Sequence, residues 1–281
     1  MNHILILTDF SDHAAHAADY ACNLAQKWGV RKVSLLNTYE IIPLYDTGEA
    51  ALLALSMQQT EELEKIRQDE LDKLIEYLRP KLPSAVEIES YLVNNNLTDA
   101  VNEVCEAENV DLVVMGIKVK DELEQFVSGS HAQKAIENAQ YPVLIVPMQT
   151  PLEAPQKIVL ATDFSESKDP AILNTLHKML DLLEVPLLAV HKFRADEDPR
   201  TASSKAEILK QEMREHACEV RFLNVEDSLS DSINQIAMSE GAGLLISVHR
   251  KRGFWATLLH KSTTKKLAWQ SRLPVLVLQV G

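Results

Sequence analysis

"ILILTDFS" at residues 4–11 returns as "IVLATDFS" at residues 158–165. This echo decides how the 281-residue chain is read. It sets Asp9 opposite Asp163, an offset of 154 from 9 to 163. Near the end of each half "YPVLIVP" (141–147) returns as "LPVLVLQ" (273–279), with Pro142 opposite Pro274 at an offset of 132. Two matches at corresponding places make the chain a tandem duplication. The two offsets differ by 22, so the first copy carries about that many extra residues. They fall between residues 40 and 85, where Leu63, Ile66, Leu71, Leu74, Ile75 and Leu78 mark one face of a long amphipathic helix. Between the copies, "PMQTPLEAPQK" holds three prolines and no periodicity, the signature of a linker. The expected domains are residues 1–147 and 156–281.

Each copy alternates apolar strand-like runs with helical patterns. The first predicts strands near 3–8, 32–38, 86–92, 111–115 and 142–146, with helices near 12–28, 58–80, 97–108 and 130–139. Gly29 is the expected stop of the first helix. The second predicts strands near 157–162, 186–191, 218–223, 243–248 and 275–279. Buried strands alternating with helices imply an α/β fold: two tandem, doubly wound, Rossmann-like parallel sheets of five strands, each covered on both faces and wound with right-handed crossovers. Ligands of such sheets bind beyond the carboxyl ends of the strands, where the winding reverses.

Composition narrows the function. Forty-one acidic against 28 basic residues leave a formal charge of -13, which repels a phosphodiester backbone from most of the surface and makes nucleic acid a poor partner. Cys22, Cys105 and Cys218 are odd in number and far apart, so they form no disulfide framework and no C-x-x-C knuckle. The start "MNHILILTDF" has neither the cationic stretch nor the cleavage site of a signal peptide, and no apolar run reaches the ~20 residues that span a bilayer. The expected location is the cytoplasm.

One segment carries ligand chemistry. "MGIKVKDELEQFVSGS" (115–130) begins near Gly116, directly after the apolar run "VDLVVM", and ends at Gly129-Ser130, directly before the helix-like "HAQKAIENA". Backbone N–H groups at a helix start attract anions, and glycine lets a ligand come close to the main chain. The same pattern is also that of two glycines ending two elements.

Taken together, "TDFS" after the first strand, "MG" after the fourth, "GS" opening the last helix and the closing "PVLIV" resemble the universal stress protein family, over nearly the whole chain as two tandem copies. The resemblance implies a stress-linked regulatory role and, in the family's nucleotide-binding branch, the pattern G-x2-G-x9-G-[ST] for an adenine nucleotide, ATP or AMP. Gly116, Gly129 and Ser130 match that pattern, while its second glycine is Val119 here. A β-branched side chain resists positive φ and crowds a phosphate, with Lys118 and Lys120 as compensating charges. By the same resemblance Asp9, with Thr8 beside it, contacts the adenosine portion, Thr38 offers its backbone near adenine, and Met115 precedes the first motif glycine. Asp9, Ser11 and Asp12 also suit the start of a helix in their own right.

In the second copy the 132 offset carries Gly116 to Val248, Val119 to Lys251, Gly129 to Lys261 and Ser130 to Ser262. The glycines are gone, so any nucleotide belongs to the first copy. The loop "HRKRGFWATLLHKSTTKK" is the chain's one basic, aromatic-bearing segment, read either as a solvated face or as a site for an anion or partner. His13 and His16, three apart on the first helix, could share a metal, although no third ligand is evident. Nothing resembles a Walker loop, a metal-hydrolase motif or a Ser-His-Asp set, so no enzyme activity is expected beyond weak ATP hydrolysis. Two rivals stand beside the nucleotide-bound regulator: a nucleotide-free interaction scaffold and a slow ATPase. Finally, 142–146 and 274–278 read as apolar edge strands, which predicts a built-in dimer joined through them about a pseudo-twofold axis. A homodimer of chains and an unidentified protein partner extend that expectation.

Overall fold

The computed structural model describes residues 1–40, 50–118, 141–164, 169–193, 197–223, 229–250, 271 and 273–280. Strands and helices alternate through it twice. The first half runs β1 (His3–Leu7), α1 (Asp12–Trp28), β2 (Lys32–Tyr39), α2 (Ala50–Leu78) with a 3-10 turn at Arg79–Lys81, β3 (Glu87–Asn94), α3 (Leu97–Glu108), β4 (Leu112–Ile117) and β5 (Val143–Pro147). The second runs β6 (Ile158–Ala161), α4 (Pro170–Leu183), β7 (Leu187–Lys192), α5 (Pro199–Glu212), β8 (Cys218–Leu223), α6 (Leu229–Ser239), β9 (Leu244–Arg250) and β10 (Val275–Val280). The helix expected at 130–139 lies outside the described residues.

The strands form one ten-stranded sheet in the order β3-β2-β1-β4-β5-β10-β9-β6-β7-β8. Within each half all pairs are parallel, and the winding reverses between β1 and β4 and again between β6 and β9. The two five-stranded sheets are therefore present but fused, because β5 and β10 pair antiparallel with Val143 opposite Val277, Leu144 opposite Leu276 and Ile145 opposite Val275. Leu144 and Leu276 are equivalent under the 132 offset, so the pseudo-twofold axis passes through their pairing. Each closing strand would be an apolar edge in isolation; fusion makes it internal, and both leucines are at most 2% exposed.

Alternation along the strands builds two cores that each run across both halves. Ile4 and Ile6 of β1 belong to the core on the side of α1, α2, α4 and α5, while Leu5 and Leu7 belong to the core on the side of α3 and α6. The buried face of α1 is mostly alanine (Ala17, Ala18, Ala21, Ala25), which lets its backbone lie close to the sheet. Ser11 caps α1 by accepting from the Ala14 N–H, and Gly29 ends it at φ 61, where glycine carries no Cβ penalty. The surplus of the first copy is α2, 29 residues against 14 in α5. Leu71 and Leu78 of α2 are buried, and Leu74 and Ile75 pack against the core, as its periodicity predicts. Leu63 and Ile66 do not, being 38% and 55% exposed. The reason is length: at 1.5 Å per residue α2 spans ~43 Å, longer than the ~26 Å strands beneath it, so its early turns overhang the sheet.

The proline-rich connection is docked on the first half. His16 Nε2 is 2.9 Å from the Thr150 carbonyl, and Asn23 Nδ2 donates to the Leu152 carbonyl at 3.0 Å. Among the described residues no helix is long and apolar enough to cross a membrane.

Candidate functional site

The repeated "TDF" folds into the same strained turn twice. Phe10 and Phe164 are left-handed, at φ 64 and 63, a conformation costing a non-glycine residue ~1–2 kcal/mol unless its surroundings impose it. They do. The Thr8 N–H donates to the Leu36 carbonyl at 2.9 Å, Thr8 Oγ1 accepts from the Phe10 N–H at 3.1 Å, and the Thr8 carbonyl accepts from Asn37 Nδ2 at 2.7 Å. In the second copy the Thr162 N–H donates to the Val190 carbonyl at 3.0 Å, and the Phe164 N–H to Thr162 Oγ1 at 2.6 Å. His191, the counterpart of Asn37, holds the Thr162 carbonyl at 2.9 Å through Nδ1.

The turn lifts Asp9 to the carboxyl edge of the sheet at the β1/β4 reversal. Its carboxylate is 67% exposed and accepts from the Ser11 N–H at 3.0 Å and from the Ser11 hydroxyl. Partial burial pushes its pKa up, but the two Ser11 hydrogen bonds and the charge of nearby His13 outweigh it and leave Asp9 below the usual range. Ser11, His13 and Asp9 do meet, a grouping that sequence order hides. Its geometry is not that of a catalytic triad: Ser11 Oγ lies 3.1 Å and Asp9 Oδ2 3.8 Å from the same ring atom, His13 Nε2, so the carboxylate does not orient the imidazole from its far side. His16 serves the linker instead, so the two histidines do not converge on a metal. Among the described residues no group of three His, Cys, Asp or Glu is placed to hold one.

Gly116 also has a packing reason that neither reading of the sequence contains. A Cβ built on it would lie 2.0 Å from the His13 carbonyl oxygen and 2.9 Å from the Ala14 nitrogen. What approaches its backbone is the first turn of α1. Val248 stands at the equivalent place in the second copy, where helix α4 begins at Pro170 after its cap Asp169. Leu7 pairs with Met115, so Thr8 and Gly116 follow side by side on adjacent strands. The Met115 side chain itself is buried in the α3-side core and has only main chain to offer a ligand. Val119, Gly129 and Ser130, with Lys120, Lys251, Lys261 and Ser262, lie outside the described residues.

β2 outruns β1 by three residues, Asn37, Thr38 and Tyr39. Since the Leu36 carbonyl faces β1, alternation turns the main-chain N–H and C=O of Thr38 to that same side, beyond the point where β1 has turned away. Between this end and α2 lies an open groove of about 550 Å³ whose walls include Tyr39, Glu61, Glu64, Gln68 and Leu92. The Tyr39 hydroxyl donates to Glu64, and burial together with that bond pushes its pKa up to about 12. In the second copy aromatic rings gather at this place. Phe193, the counterpart of Tyr39, stacks on Phe222 at 5.0 Å, and His191 lies 4.5 Å from Phe164. A buried His191–Glu197 pair at 2.8 Å sits among these rings.

The universal stress protein family matches the chain twice, over residues 1–147 and 155–279. A universal stress protein of Methanocaldococcus jannaschii is 28% identical over 145 residues, 51% of this chain and 80% of that one. Another, of Thermus aquaticus, is 29% identical over 143 residues, 51% of this chain and 96% of its own. Among solved structures, a universal stress protein from Archaeoglobus fulgidus superposes with a TM-score of 0.69 over 100% of this chain and 99% of its own, at 18% identity. At that identity the likeness speaks for the fold alone.

Proposed function

Because the chain belongs to the universal stress protein family, we propose that its first copy binds an adenine nucleotide, ATP or AMP, at the carboxyl ends of β1, β2 and β4, and that occupancy regulates its contacts in a stress response. The observation carrying this reading is the Asp9 turn: a strained, over-determined backbone that exposes one carboxylate at the topological switch point, on the same carboxyl end of the sheet as the main-chain edge of Thr38. Asp9 suits ribose hydroxyls, and an N–H and C=O on one edge suit an adenine. Glu61, Glu64 and Asp69 outnumber the single cation Lys65 on the walls of the α2 groove and make it a poor home for phosphates. The phosphates then belong on the other side, toward Gly116. The aromatic filling of the second copy supports one site per chain.

Calorimetry with ATP and AMP tests this, beside mass spectrometry of small molecules released from the denatured protein. Binding should be lost in Asp9→Ala and Gly129→Asp and kept in Lys261→Asp. No binding by the unaltered protein, or equal loss in all three variants, refutes the reading. One observation favours a nucleotide-free scaffold: α1 packing alone accounts for Gly116, so that glycine demands no ligand.

A further inference from the structure

The Asp9 turn is held by a residue that no motif contains. Asn37 is 2% exposed and grips the Thr8 carbonyl with Nδ2. A carboxamide so placed has two orientations, and only one presents a donor to a carbonyl. The choice is made from α2: Arg67 Nη1 donates to Asn37 Oδ1 at 2.7 Å, and an arginine has nothing but donors. Arg67 thereby obliges Asn37 to turn its NH2 toward Thr8. Arg67 is half-buried, and its Nε is buried with no partner among the described residues.

The second copy builds the same device from other residues. Lys205 on α5 lies 3.6 Å from Glu197, whose other oxygen is 2.8 Å from His191 Nε2, and His191 Nδ1 meets the Thr162 carbonyl. Since a carbonyl only accepts, Nδ1 carries the proton there. In both halves a buried relay residue on the second strand holds the threonine carbonyl of the strained turn; a cation on the following helix meets the relay directly in the first copy and through Glu197 in the second. Thr8 and Asn37 map onto Thr162 and His191 at the 154 offset; Arg67 and Lys205 do not, being 138 apart on helices of unequal length. The contact has survived while its residues and its place in the chain changed, as expected if holding the turn is what matters.

We propose that Arg67 is a positioning residue for the first-copy site, acting through Asn37 on the Asp9 turn, so that the lengthened helix α2 and a purine nucleotide at that turn are coupled. The coupling to nucleotide rests on the reading given above; the positioning of the turn does not.

The test is amide hydrogen exchange at Phe10, whose N–H is bonded to Thr8 Oγ1, in ligand-free protein, with the Phe164 amide of the second copy as internal control. Arg67→Met should speed Phe10 exchange about tenfold relative to Phe164, and Arg67→Lys should restore part of the protection. In an Asn37→Ala background Arg67→Met should add nothing. An unchanged Phe10 rate overturns the proposal, as does an effect of Arg67→Met that persists in full without Asn37. ATP calorimetry on the same variants reads the coupling: a tenfold weaker Kd in Arg67→Met supports it, and an unchanged Kd refutes it. Absence of binding in the unaltered protein counts against the nucleotide reading and the coupling, while the exchange result still decides the positioning role.

Discussion

Adding one methyl group at Gly116 tests whether packing or ligand approach requires that glycine. In Gly116→Ala the new Cβ would stand 2.0 Å from the His13 carbonyl oxygen and 2.5 Å from its carbon, both main-chain atoms that no rotamer change can move. Ordinary contact is ~3.5 Å, so the first turn of α1 must retreat by about 1.5 Å. That turn is tied down: Ser11 caps it, Ser11 is bonded to Asp9, and the helix behind it buries Ala17, Ala18 and Tyr20. Overpacking of this kind costs ~1–3 kcal/mol, against which alanine recovers ~0.4–1 kcal/mol of unfolded-state entropy. With so deep an overlap the cost sits at the upper end of that range, ~3 kcal/mol, and the expected net loss is about 2 kcal/mol, read in nucleotide-free protein as a lower urea midpoint at unchanged m-value. Gly29→Ala is the comparator: its φ of +61 is costly for alanine, yet nothing lies within 4 Å of the added atom. It should cost only ~1 kcal/mol. If Gly116→Ala costs less than about 0.5 kcal/mol without ligand, α1 can yield freely and the packing argument fails.

The fused sheet predicts that a chain cut within residues 148–156 keeps both halves together, since the β5–β10 pairing does not need the connection; separate elution of the halves at micromolar concentration would contradict it. Burial pushes the Cys22 and Cys105 thiols up to about 12 and Cys218 to about 11, so alkylation at neutral pH should be slow in the native protein and rapid for all three in urea. Fast native labelling of Cys22 or Cys105 would show that the α1 and α3 cores open far more often than their packing implies. Hydrogen bonds from Lys157 and Arg221, each 2.6 Å away, hold Glu240 down at about 2. A depressed carboxylate stabilises the fold above its ordinary value of 4.5 and loses that contribution as pH falls toward 2. Glu240→Gln should therefore flatten the loss of stability across that window, and identical acid limbs in the two proteins would rule the network out as a contributor.

Much of this protein was legible in its sequence, because the relevant signals are local or repeated. The spans 12–28 and 97–108 emerge as helices at those same residues, bounded by Ser11 and Gly29 and by Asn96 and Asn109, whose capping chemistry is written in one or two side chains. The ten strands follow from apolar runs, and the duplication follows from "TDFS" and "PVL", which also foretold closing strands side by side. Hydrophobic pattern states which residues seek burial, and so it fixed element types and their winding.

It does not state what each residue will meet, and there the tertiary structure decided. Leu63 and Ile66 share a periodic face with Leu71 and Leu78, yet they stay exposed because the sheet ends before the helix does. Gly116 looked like a turn or a phosphate contact, but its lack of a side chain answers to the backbone of α1, distant in sequence. Asn37 and Arg67 carry no motif at all. Their pairing exists only because α2 is laid against the end of β2, and a buried amide takes its orientation from whichever donor the folded chain brings to it. Hydrogen-bond direction and backbone approach depend on ångström-scale placement between distant segments, which sequence pattern leaves open and three-dimensional packing settles.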